Sequence, residues 1–122
     1  MSYMLLIVEP VGQRQARGRA GGEVAYARML EFAGELQSRG VLRSAESLAG
    51  TKAATRVQQR EGRALQVDGP FAEAKEMVGG FFLLDGVDRD EALALAARCP
   101  AAEWATVEVR RLGPCWDEGD EP

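Results

Sequence analysis

The chain has 122 residues, 46% of them apolar, which suits one domain with a core of its own. Its formal charge of −4 comes from Asp117, Glu118, Asp120 and Glu121, and residues 1–116 are balanced. A neutral body gives no footprint for nucleic acid, and the absence of histidine excludes Ser-His-Asp triads and HExxH metal sites.

The opening MSYMLLIVEP has no basic start, and its apolar run is too short for a signal or a membrane span, so a cytoplasmic location is expected. Cys99 and Cys115, in no CxxC pattern, read as reduced thiols. Tyr3 to Val8 is a continuous apolar run closed by Glu9-Pro10, which predicts a strand covered on both faces.

Residues 11–22 contain four glycines and no periodicity, which predicts a mobile loop. Its arginines Arg14, Arg17 and Arg19 are expected to be solvated rather than to clamp a phosphate. From Glu23 to Arg39, Met29, Phe32, Ala33 and Leu36 make one helical stripe, and Gly40 supplies the stop. Val41 to Leu48 then runs extended, with LAGTKA as a turn. Thr55–Arg60 and Arg63–Val67 form a hairpin about Glu61-Gly62.

Val78 to Asp85 reads as a second strand apolar on both faces, in which Gly79-Gly80 permits a bulge or a close backbone approach. Asp88 and Glu91 have capping-box spacing for a helix over 89–98, with Ala92, Leu93, Ala96 and Ala97 inward and Pro100 beyond it. In the last strand, Trp104 to Leu112, Ala105, Val107 and Val109 share one face and Thr106, Glu108 and Arg110 the other.

The order is β-α-β-hairpin-β-α-β, an α+β, ferredoxin-like split βαβ fold with an antiparallel sheet. Two helices cover only one face of that sheet. The doubly apolar strands therefore predict a homodimer packed sheet to sheet. Residues 1–116 are read as one domain and 117–122 as an acidic flexible tail.

DGPFAEAKE followed by GGFFLLD, with the opening YMLLIVEP and the closing VEVRRL, resembles the DGPF-type branch of the YCII-related family, in order and over nearly the whole chain. The resemblance implies a dimeric α/β-barrel arrangement and no settled function. It implies that some homologous domains sit beside, or are fused to, extracytoplasmic-function sigma factors. In the wider superfamily some members are proposed to use a His–Asp pair, and one is a dehydrochlorinating lyase. This chain matches only the Asp half of that pair, through Asp68.

The motif itself has two readings. Pro70 keeps Gly69 out of the helical region and sets a turn at a strand end. Asp68 is expected to fold its carboxylate onto the amide of Gly69 or Phe71, with Phe71 buried beneath. Glu73, Lys75 and Glu76 then form a charged rim in which Lys75 meets a carboxylate. The other reading makes Asp68 a catalytic proton acceptor or donor beside a cleft, with Glu9, Phe71, Glu73, Lys75 and Glu76 as binding residues and Glu9 facing Asp68 across it. A strand-end Glu before Pro is more often solvated, and Tyr26 is an aromatic with a wet tip that could donate a proton. Trp104 and Trp116 are read as isolated, with no stacking platform for bases.

Two functional classes follow. One is a dimer binding a small molecule near Asp68, without cofactor or metal, for lyase- or isomerase-like acid–base chemistry. The other is a regulatory module acting on a protein partner such as a sigma factor.

Overall fold

The computed structural model describes residues 1–120. Chain order is β1 (Tyr3–Pro10), α1 (Gln13–Ser38), β2 (Leu42–Ser47), β3 (Thr55–Arg60), β4 (Arg63–Asp68), β5 (Glu76–Leu84), α2 (Arg89–Arg98) and β6 (Thr106–Arg111). Short 3-10 turns lie at Thr51–Ala53 and Pro100–Glu103. The main sheet runs β2-β5-β1-β6, with all neighbours antiparallel, and β3-β4 form a separate hairpin. This is the expected split βαβ order, with the hairpin inserted between β2 and β5.

Period-two alternation in β1 turns Tyr3, Leu5, Ile7 and Glu9 into the helix side and leaves Met4, Leu6 and Val8 half-buried on the other. Phe32 and Leu36 of α1 and Ala92, Leu95 and Ala96 of α2 close over that inner face, and the Phe32 and Phe82 rings meet edge to face at 5.2 Å. Burying side chains such as Leu5, Leu36 and Leu84 completely is worth about 1.5–3 kcal/mol each. Asp88 caps α2 by accepting a 2.8 Å bond from the Glu91 amide. Gly40 ends α1 in the left-handed region.

Two expectations are corrected. Residues 11–22 are not a loop: α1 begins at Gln13 and is interrupted only at Gly18, with φ 77° and ψ 170°. Glycine there lets one short helical turn meet a long helix at an angle, a break that composition alone does not separate from a loop. In α2 the inward set is Ala92, Leu95 and Ala96, while Leu93 is 39% exposed. At the start of the tail, the Asp117 carboxylate lies 3.0 Å from the Arg111 guanidinium and accepts a 2.7 Å bond from the Gly119 amide. The tail's last two residues, 121 and 122, lie outside the described residues.

Both cysteines are free; Cys115 is exposed, and burial pushes the Cys99 thiol up from its ordinary value. Among the described residues, no helix is long and apolar enough to cross a membrane.

Candidate functional site

The β1 alternation has one polar member. Glu9 continues the inward series of Tyr3, Leu5 and Ile7, and is 6% exposed. Its carboxylate accepts two bonds from Arg14, Nε to Oε2 and Nη2 to Oε1, each 2.9 Å. This fork-on-carboxylate geometry is the strong form of the ion pair. Arg14 also donates to the carbonyls of Leu48 at 2.8 Å and Gly79 at 3.4 Å.

The strands make room for this pair. Ile7 aligns with Gly80 and Val8 with Val78, so Gly79 is an extra residue in β5. A Cβ at Gly79 would fall onto the Glu9 carboxylate. The expected close approach at Gly79 is therefore made to the Glu9 side chain.

Glu9 and Arg14 line a cavity of about 550 Å³ between α1 and the inner face of the sheet. Organic ligand sites commonly span roughly 300–1,000 Å³. Its apolar wall includes Ile7, Met29, Leu30, Ala33, Phe81 and Phe82, and polar groups come from Arg17, Tyr26 and Glu46. Trp104 closes one side. The Arg17 and Arg28 guanidinium carbons lie 5.8 and 5.5 Å from its ring centroid, and its carbonyl accepts a 2.6 Å bond from Gln13 Nε2.

The motif residues stand elsewhere. Asp68 ends β4 on the hairpin, is exposed, and does not line the cavity. Its carboxylate accepts a 2.8 Å bond from the Thr55 hydroxyl rather than from a turn amide. The ladder sets Thr55 directly opposite Asp68, and the Gly69 amide is already given to the Ala54 carbonyl at 2.8 Å. Phe71 is buried as expected, with Arg56 3.7 Å above its ring. Glu73 and Lys75 are exposed on the turn leading into β5, and Glu76, also exposed, is the first residue of that strand. Lys75 joins none of the ion pairs among the described residues; its carbonyl instead accepts the Val11 amide at 2.9 Å.

Glu9 and Asp68 are thus not brought together as a pair. Glu9 is not solvated either, because Arg14 satisfies it within the fold. Arg14 and Arg17, expected in a solvated loop, are cavity residues, and so is Trp104. The signal for Glu9 was available in the alternation of β1, which places residue 9 on the face of residues 3, 5 and 7.

The YCII-related domain profile matches residues 1–115. The chain belongs to the YCII-related domain family. An uncharacterised protein of Rhizobium meliloti is 42% identical over 67 residues, which cover 53% of this chain and 54% of that protein, so the chain matches about half the length of this relative. Among solved structures, 5-chloro-2-hydroxyhydroquinone dehydrochlorinase (TftG) of Burkholderia phenoliruptrix, in complex with 2,5-dihydroxybenzoquinone, is similar with a TM-score of 0.56. The two are 16% identical, and the alignment covers 93% of this YCII-related chain and 94% of the other. That likeness establishes the fold.

Proposed function

We propose that this YCII-related domain binds a small, planar organic molecule in the cavity between α1 and the sheet. In this reading Glu9 and Tyr26 exchange protons with it in a lyase- or isomerase-like reaction. The carrying observation is the buried Glu9 carboxylate, held at both oxygens by Arg14 on the wall of a cavity of about 550 Å³. A carboxylate fixed in orientation beside an apolar cavity is placed to take a proton from a bound carbon acid. Returned to another carbon, that proton completes an isomerisation. When a leaving group departs with its electron pair instead, the outcome is an elimination. The similar fold of a dehydrochlorinase bound to a dihydroxybenzoquinone supports a ring compound as occupant.

Asp68 enters this proposal only through assembly. Its hairpin stands apart from the main sheet, so its carboxylate reaches a cleft when a second subunit supplies the other wall. A homodimer across the outer sheet face is part of the proposal, supported by half-buried Met4, Leu6 and Val8 there. A regulatory protein partner, such as a sigma factor, is the alternative, supported by exposed Val57, Leu65 and Val67 on the hairpin.

The test is a calorimetric screen of hydroxylated single-ring aromatics against the wild type and Ala33→Phe, which fills the cavity. Binding to the wild type and its loss in Ala33→Phe is the expected result. Ligands that bind both equally, or none that bind, would overturn the assignment. For the chemistry, Glu9→Gln should retain ligand and lose turnover.

A further inference from the structure

We propose that the ligand is a planar organic anion, a ring carrying a carboxylate, and that Arg17 receives its charge. This rests on the cavity reading above and adds the ligand's charge to it. Two of the cavity's arginines already have carboxylate partners. Arg14 is held by Glu9, and Arg19, itself 94% exposed, lies 2.9 Å from Glu23. Arg17 forms no ion pair among the described residues, and its Nε–H is buried without an acceptor.

The side chain is seated for that role. Its stem lies where Gly21 leaves space, since a Cβ at Gly21 would come within 2.6 Å of Arg17 Cγ. Its guanidinium lies by the Trp104 ring. An aromatic face attracts the cation's charge but is a weak acceptor for an N–H. The buried Nε–H is closed off from the cavity, so an entering oxygen meets the Nη donors of the same guanidinium, which bond no group among the described residues.

A ring suits the rest of the cavity, because Trp104, Tyr26 and Phe82 offer flat apolar surface around it. A carboxylate on such a ring matches the geometry of guanidinium donors better than a neutral amide does, since an amide carries no charge and presents donors of its own.

The experiment compares 2-naphthoate with its near-isostere 2-naphthamide by titration calorimetry, on the wild type, Arg17→Gln and Arg17→Lys. The naphthoate should bind the wild type roughly tenfold more tightly, the difference expected of one charge-assisted hydrogen bond. Arg17→Gln should bring the naphthoate down to the naphthamide's affinity and leave the naphthamide unchanged, and Arg17→Lys should keep part of the preference. Equal affinities in the wild type, or a preference that survives Arg17→Gln, would overturn the anion assignment and leave a neutral-ligand cavity, with water on the Arg17 donor. If neither compound binds, the cavity reading falls together with it. The wild-type comparison stands even if Arg17→Gln does not fold.

Discussion

The Glu9 carboxylate stands where a side chain at Gly79 would be, so an inward acid on one strand is accommodated by a missing Cβ on the next. The bulge at Gly79 thus sets the position of the buried charge as well as the strand register. Gly79→Ala should push Glu9 off Arg14 and cost about 1–3 kcal/mol, the usual range for overpacking. Urea unfolding measures the loss, and an unchanged midpoint would contradict the packing.

Arg14 is the only cation bonded to Glu9 among the described residues. Arg14→Met leaves a buried carboxylate without its partner and should cost about 3 kcal/mol or more. Replacing both residues with methionine should recover much of that loss, because no charge then remains to be desolvated. A double-mutant cycle by chemical unfolding checks this, and additive losses would show that the two side chains act independently.

Asp68 and Thr55 bridge the exposed hairpin from opposite strands. Thr55→Ala and Asp68→Ala should each cost no more than about 1 kcal/mol, as a solvated side-chain bond contributes. Asp68→Asn keeps an acceptor for the Thr55 hydroxyl and should fold like the wild type. Ligand affinity in the α1 cavity should also be unchanged. If turnover disappears in Asp68→Asn while binding persists, the Asp68 carboxylate belongs to a site completed by a second subunit.

The Asp117 carboxyl is held below its ordinary value of 3.8, first by the Gly119 amide and then by the Arg111 guanidinium. A lowered folded value means that its stabilisation is fully present above pH 3.8 and is lost as the pH falls through the folded value. Thermal midpoints taken downward from pH 5 should therefore fall less steeply in Asp117→Asn than in the wild type at the acid end. Parallel curves would remove Asp117 from the acid response.

Continuous apolar runs marked β1 and β5, alternation marked β6, and the Asp88 cap and the Glu61-Gly62 turn marked α2 and the hairpin, because each is a local pattern with a local cause. Residues 13–22 of α1 were not legible as helix. Their amphipathic signal is short, and Gly18, Gly21 and Gly22 read as breakers, whereas one of them is a kink and another makes room for Arg17. The site was misplaced for a related reason. DGPFAEAKE is dense in charge, but its residues lie on and just after a hairpin whose separation from the main sheet is a tertiary fact. Glu9, Arg14, Arg17 and Trp104 are spread over nearly a hundred positions, and only the path of the chain makes them neighbours.

One guanidinium, that of Arg14, touches the side chain of β1, the carbonyl following β2 and the bulge of β5 while riding on the first turn of α1. The Leu48 amide in turn donates to the Gly79 carbonyl at 2.9 Å. Four segments therefore meet at one cationic knot at the same end of the sheet. Amide exchange at that end should follow a single opening event, with the Leu48 amide and the Glu9 strand losing protection at one common rate. A molecule that enters the cavity and holds α1 closed would slow all of these positions together, carrying its arrival beyond the cavity wall to the Leu48 amide.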